Sequence, residues 1–313
     1  MSVLIADIGG TNVRFALYDG TVNDVQVMQV ADYPGPAEAA SAYLSSRAKP
    51  DKAAFAVAGP VTGDDVFELT NHPWKFSISA TREALKLSRL ELINDFHAIA
   101  LGIPGADPAI IKQIGGGSPM PHGNIGVIGP GTGLGVATLV WDKDKYVAVP
   151  GEGSHVTAPG VTQREFDLFA WLTTHRYSHV SVERVCSGKG LVNLYDAIRG
   201  VDKLALPDAT PAEITTRAID GSCAVCKECL TVMLAMLGRA AGNLALTNMT
   251  RGGMYFAGGI LPKLGLSYLQ GSRLRGDFTA KGRFTAFVDA IPTYLIDDPF
   301  LPLRGLGVYA ESL

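Results

Sequence analysis

Apolar runs at 3–6, 53–58 and 90–93 alternate along the first third of the chain with segments at 37–48 and 81–87 whose composition suits helices. Short strands alternating with helices predict an α/β architecture. A second stretch of the same character starts near Ile125, and its helical segments at 164–174, 191–199 and 222–246 are longer. Between the two stretches, residues 102–121 are dense in Gly and Pro, where neither the helical nor the strand period survives. The pattern therefore predicts a small domain over 1–108 and a larger one over 109–296.

A weak internal repeat organises the chain further. Residues 5–18 and 127–140 both read as apolar strand, Gly-Thr turn, apolar strand, with Thr11 and Thr132 at equivalent points. After each turn the residues alternate, Val13, Phe15 and Leu17 in one copy and Val136, Thr138 and Val140 in the other. That period belongs to a strand, so each copy is expected to be a β-hairpin and not a loop opening a helix.

The turns carry candidate chemistry. In Asp7-Ile8-Gly9-Gly10-Thr11-Asn12, two glycines let backbone N–H groups approach a polyphosphate, and Thr11 adds a hydroxyl donor. Asp7 ends a buried strand, where a carboxylate is costly unless it meets a cation or donors; magnesium, directly or through water, meets that need. A tight hairpin with a capping Asp explains the same motif equally well. The motif is not a P-loop, which requires G-K-[ST] followed by a helix. In Gly129-Pro130-Gly131-Thr132-Gly133-Leu134-Gly135 the small-residue chemistry recurs without the Asp. Two such hairpins in one chain point to a shared nucleotide more strongly than either does alone.

Charge and cysteine usage narrow the function classes. Lys and Arg total 27 against 30 Asp and Glu, a net charge of -3, which provides no broad field for nucleic acid or an anionic membrane. The 313 residues, 47% of them apolar, suffice for a large core. No export signal is visible at MSVLIADIGG, so a cytoplasmic protein is expected. The most apolar long segment, 229–246, is interrupted by Arg239 and Asn243 and reads as a buried helix. Cys223, Cys226 and Cys229 are spaced like part of an iron-sulfur ligand run, but no fourth ligand lies nearby, and a spacing of three places them on adjacent turns of one helix. Ordinary thiols are expected.

The blocks DIGGTNVRFAL (7–17), INDFHAIALGIP (93–104), GPGTGLGVA (129–137), PGEGSHV (150–156), ERVCSGKGLVNLYDAI (183–198) and AGGI (257–260) together resemble the bacterial glucokinases, members of the actin-like superfamily of ATPases and sugar kinases. The resemblance spans nearly the whole chain. It implies a two-domain, actin-like (ribonuclease H-like) sugar kinase fold with a cleft between domains, the C-terminal segment 297–313 completing the first. It implies ATP and Mg2+ as cofactors, transfer of the γ-phosphoryl group to the 6-hydroxyl of glucose, and a homodimer. Nucleotide-binding residues would be Ala6, Asp7, Ile8, Gly9, Gly10, Thr11, Gly131, Thr132, Gly133, Gly258 and Gly259, with Asp7 toward the metal.

Asn94-Asp95 follows the strand at 90–93, at the carboxyl end where ligands bind in α/β sheets. Helix capping explains the pair on spacing alone; the resemblance makes Asp95 the catalytic base and places both on the sugar. Glu152 and His155, in a Gly-rich loop after 146–149, and Glu183 match sugar-binding residues of the family, and a carboxylate suits vicinal hydroxyls. Without the resemblance they read as surface residues. Gly258-Gly259 after the strand at 254–257 fits an ordinary turn equally well. At Ser187-Gly188-Lys189-Gly190, many family members have proline where Lys189 stands, which changes loop stiffness near Glu183; an exposed helix-start lysine is the expected reading.

Kinases of mannose, fructose or N-acetylglucosamine are the near alternatives. The repressor and kinase branch with its C-x-C-G-x-x-G-C zinc run is disfavoured, since no such run is present. A non-catalytic sugar-sensing regulator would need a DNA-binding appendage, and the first strand is expected to begin at Ser2 or Val3. A chaperone-like ATPase would need a further peptide-binding domain. Glucose and MgATP remain the expected partners, with neither nucleic acid nor membrane.

Overall fold

The computed structural model describes residues 2–69, 74–149 and 151–313. Its strands are β1 (Val3–Ile8), β2 (Asn12–Tyr18), β3 (Val22–Gln29), β4 (Lys52–Val57), β5 (Val66–Glu68), β6 (Lys75–Ser77), β7 (Arg89–Asn94), β8 (Ile111–Gly115), β9 (Ile125–Pro130), β10 (Leu134–Asp142), β11 (Lys145–Val149), β12 (Gly253–Phe256) and β13 (Thr293–Ile296). The chain forms two compact units: Met1–Asp107 with Lys145–Pro150 and Asp298–Leu313, and Pro108–Asp144 with Gly151–Asp297. The second unit is thus not the uninterrupted 109–296 of the sequence reading, because β11 belongs with the first.

In the first unit the sheet order is β3-β2-β1-β4-β7. β1, β4 and β7 are parallel, and β2 and β3 return antiparallel as a meander. β1 and β4 are buried almost throughout, as strands covered on both faces must be, while β7 at the sheet's edge is buried at Leu90, Leu92 and Ile93. One face packs Leu4, Phe15, Tyr43, Phe55 and Trp74. The other receives the C-terminal helix Leu301–Ala310 through Leu303 and Leu306. That helix lies directly on the helix Asp95–Gly102: a Cβ added at Gly305 would stand 1.8 Å from the Ala98 carbonyl oxygen, so only glycine permits the approach.

The second unit repeats the plan. Its strands run in the order β10-β9-β12-β13-β8, with β9, β12 and β13 parallel and β10 antiparallel to β9. The 25-residue helix Ala224–Asn248 runs through its core. By length and composition this helix is apolar enough to cross a membrane, but 72% of its most apolar window is buried inside the fold. At its centre Arg239 pairs with Glu165 at 2.6 Å and Asp277 at 2.7 Å, all three buried. The ion cluster fixes three helices at once and leaves no charge unpaired. Glu165 also closes a capping box with Thr162, and its hydrogen bonds, from Arg239 and the Val161 and Thr162 amides, outweigh burial and hold its carboxyl down at about 2.

Several boundaries differ from expectation for identifiable reasons. The helix expected at 81–87 runs Ile78–Ala84, because the Ser77 side chain caps it by accepting from the Ala80 amide. The segment at 37–48 is helical over Pro36–Tyr43 and tightens to a 3-10 turn at Leu44–Ser46. The four cysteines are buried and unpaired with one another. Burial raises the Cys186 and Cys229 thiols far above their ordinary value, so both behave as core residues.

Candidate active site

In the first unit the predicted residues meet at one end of one sheet. Ile8, Val57 and Asn94 are register partners across β1, β4 and β7, so the three parallel strands end in a row. The Gly9-Gly10-Thr11 turn and Asp95 leave from that row, at the carboxyl ends where open α/β sheets bind ligands. The turn is held by the Gly9 amide donating to the Asn12 carbonyl at 3.0 Å and the Val30 amide donating to the Thr11 carbonyl at 2.9 Å. Gly10 and Thr11 are exposed at its tip.

Asp7 finds its cation within the hairpin. Arg14, its register partner on β2, donates from Nη1 to Oδ2 at 2.9 Å. Burial still dominates and raises the Asp7 carboxyl above its usual range, with Arg14 only partly offsetting it. Oδ1 carries no hydrogen bond among the described residues. Among those residues no group of three or more His, Cys, Asp or Glu side chains could cage a metal. One carboxylate with a spare oxygen beside a phosphate-type turn is the protein share expected for Mg2+, which takes most of its ligands from phosphates and water. Asp7 therefore fits the ion as it would arrive with a nucleotide.

Asn94 caps the helix Asp95–Gly102: its Oδ1 accepts from the Phe96 and His97 amides at 2.9 and 3.4 Å. Its Nδ2 donates to the Gly59 carbonyl at 3.1 Å. Capping and ligand binding are thus not alternatives at this position. The cap fixes the carboxamide, and Nδ2 keeps a second hydrogen. Asp95, half-buried in the first helical turn, accepts from the Phe96 amide through Oδ1 at 2.9 Å.

In the second unit the other candidates converge on Glu183. The Gly131-Thr132-Gly133 turn joins β9 to β10, closed by the Gly131 amide donating to the Gly133 carbonyl at 2.8 Å. Glu183 Oε2 accepts from the Leu134 amide at 3.0 Å, just past that turn. The Glu183 amide donates to the Ser154 carbonyl at 3.0 Å, inside the loop carrying Glu152 and His155. Thr157 and Ser181 form an antiparallel bridge alongside. Glu152 precedes the 3-10 turn Gly153–His155 and His155 ends it; their carboxylate and ring stand 3.7 Å apart, both more than half exposed. Pro150, which opens this block, lies outside the described residues.

The glycines at 258 and 259 separate. Gly258 has φ +84°, and an added Cβ would lie 2.5 Å from the Pro130 carbonyl oxygen, so backbone packing accounts for it. Gly259 has open space where a side chain would stand. Lys189 is exposed in the first turn of the helix Gly188–Val201, which Ser187 caps by accepting from the Gly190 amide at 2.9 Å.

Sequence reasoning assigned no role to Arg14, Gly59, Ser154 or Leu134. Arg14 was within reach, since a hairpin turning at 9–12 pairs position 7 with position 14. The others act through backbone groups, which no residue identity announces.

The glucokinase family model matches residues 4–313. The chain is 46% identical over 311 residues to a glucokinase of Paramagnetospirillum magneticum, covering 97% of this chain and 96% of that protein. It is 42% identical over 313 residues to a glucokinase of Neisseria meningitidis serogroup C, with 99% and 94% covered. Among solved structures, a glucokinase from an Antarctic psychrotroph superposes with a TM-score of 0.87 at 35% identity, over 100% of this chain and 99% of that one.

Proposed function

Since the chain belongs to the glucokinase family, we propose that it moves the γ-phosphoryl group of MgATP onto the 6-hydroxyl of glucose, with Asp95 as the base. The observation that carries this reading is the common row of Ile8, Val57 and Asn94. It sets a phosphate-type turn and a carboxylate on a helix's first turn at the same end of one parallel sheet. Asp95 accepts the proton of the 6-hydroxyl as that oxygen attacks phosphorus in line with the departing ADP oxygen. Little other covalent chemistry falls to the protein, so positioning and electrostatics supply most of the acceleration.

In the first unit Asn94 is the residue that offers a sugar its remaining Nδ2 hydrogen; in the second, Glu152, His155 and Glu183 are the residues that suit sugar hydroxyls. Within each unit one glycine-threonine turn, 9–11 in the first and 131–133 in the second, is the phosphate-type turn, with the Thr11 or Thr132 hydroxyl as an added donor. Gly259 leaves backbone open to the adenosine. Mg2+ bound with the nucleotide neutralises phosphate charge, and Asp7 Oδ1 is the protein oxygen offered to it. The reading carries a cytoplasmic location and a homodimer with it.

The test is formation of glucose 6-phosphate from MgATP by the wild type and by Asp95→Asn, with mannose, fructose and N-acetylglucosamine as competitors. Preference for glucose and collapse in the variant support the reading. A large preference for another hexose replaces the substrate and keeps the mechanism. Sugar binding without any phosphorylation replaces the enzyme by a regulator.

A further inference from the structure

The segment 183–188 grips both ends of the second hairpin turn. At the entry, the Gly188 amide donates to the Gly131 carbonyl at 2.9 Å; at the exit, Glu183 Oε2 accepts from the Leu134 amide at 3.0 Å. The same carboxylate oxygen would lie 2.7 Å from a Cβ added at Gly133, so it rests against the turn itself. The grip is in turn braced. The Ser187 hydroxyl donates to the Glu183 carbonyl at 2.8 Å while its oxygen caps the following helix, and the Glu183 amide is tied to the Ser154 carbonyl in the loop of Glu152 and His155. Glu183 Oε1 carries no hydrogen bond among the described residues. A half-buried carboxylate thus has one oxygen committed to the nucleotide-side turn and one in reserve.

We infer that Glu183 is a positioning residue for the phosphate-side turn as well as a sugar ligand, and that it couples occupancy of the sugar site to nucleotide affinity. The inference rests on the sugar-binding assignment proposed above and adds a second task to it. With Oε1 on a sugar hydroxyl, the carboxylate is held from both sides and loses rotamer freedom. The Leu134 amide and the Gly131–Gly133 turn are then ordered before the phosphates arrive. Ordering done by the first ligand is a cost the second does not bear, which is positive cooperativity, and linkage makes it reciprocal. A carboxylate that only bound sugar would leave the turn indifferent to the sugar.

Gly133→Ala separates the two tasks. Its methyl displaces the Glu183 carboxylate while leaving residue 183 intact, and the flexible side chain can yield without unfolding the turn. Gly276→Ala is the comparison, since its methyl meets nothing within 4 Å and lies outside both turns. Calorimetry would measure binding of a non-hydrolysable ATP analogue with and without saturating glucose, alongside KM for each substrate. Glucose is expected to tighten the wild type's hold on the analogue by about fivefold or more, in the usual range of coupling between sites.

Gly133→Ala is expected to abolish that gain and to raise the glucose KM by about tenfold or more, the usual loss when a hydrogen bond to a charged group fails. Gly276→Ala should keep the gain. Glu183→Ala should raise the nucleotide KM even at saturating glucose, an effect a sugar ligand alone does not have. A Gly133→Ala protein with coupling and glucose KM like those of Gly276→Ala overturns the inference. A Glu183→Ala protein with unchanged glucose KM overturns the sugar-binding assignment instead.

Discussion

The two glycine-threonine hairpins solve one problem with different materials. In the first, the charge is internal: Asp7 and Arg14 face each other across β1 and β2, seven residues apart in sequence, at 2.9 Å. In the second, β9 and β10 contribute only small and apolar residues beside the turn. The charge comes from Glu183, forty-nine positions from the Leu134 amide it holds. A hairpin that contains its own ion pair has electrostatics set as soon as its register forms. One that borrows a carboxylate depends on whatever else positions that carboxylate. The proposed base lies in the unit of the first hairpin, and most of the proposed sugar ligands lie in the unit of the second.

The sharpest way to break this division is Asp95→Asn. It should lower kcat at least ~10²-fold while shifting the glucose KM far less, read from steady-state kinetics; a change confined to KM would move the chemistry out of the first unit. Next, Asp7→Ala leaves the mostly buried Arg14 guanidinium without its partner. The loss should be about 1–3 kcal/mol of stability, seen as an earlier denaturant midpoint, together with a weaker hold on MgATP. Thr132→Ala at the second tip should leave that midpoint nearly unmoved.

Smaller still, Gly258→Ala should cost about 1–2 kcal/mol for its left-handed backbone and somewhat more for the overlap with Pro130, whereas Gly259→Ala should leave stability unchanged. Thermal melts of the two neighbours decide it. Last, the units should respond to acid with opposite signs. Glu165 is held down at about 2 from an ordinary 4.5, so its contribution is complete above 4.5 and is lost as pH falls from there toward 2. Asp7 is raised above its ordinary 3.8, so its contribution is complete below 3.8 and is lost as pH rises through its higher native value. Hydrogen exchange followed separately in β1 and in the helix Ala224–Asn248 should show the second unit loosening first on acidification.

Much of the fold was legible because burial is periodic. The parallel strands β1, β4 and β7, both hairpins and the long helices announce themselves by apolar runs. β3 does not: of its eight residues only Met28 is buried, so its pattern carries no face. β5 and β6 are three residues each, too short for any period. β11 alternates as a strand should, but its assignment to the first unit depends on contacts no local pattern encodes. Of the candidate site, Asp7, the two turns and Asn94-Asp95 stood out from their positions at strand ends. Glu152, His155 and Glu183 stood out only through the resemblance, since each sits in irregular chain with nothing local to mark it.

From the sequence alone came what depends on side-chain identity and near neighbours: the α/β class, the paired hairpins, the kinase family and the residues able to do its chemistry. Tertiary structure alone decided which of those residues work through one another. Asn94 caps a helix and reaches Gly59 at once, Gly258 is glycine for the sake of Pro130, and Glu183 holds the Leu134 amide. The physical reason is common to all three. Each contact ends on a backbone amide or carbonyl, a group every residue but proline carries in full, so only the fold can say which copy is presented and to whom.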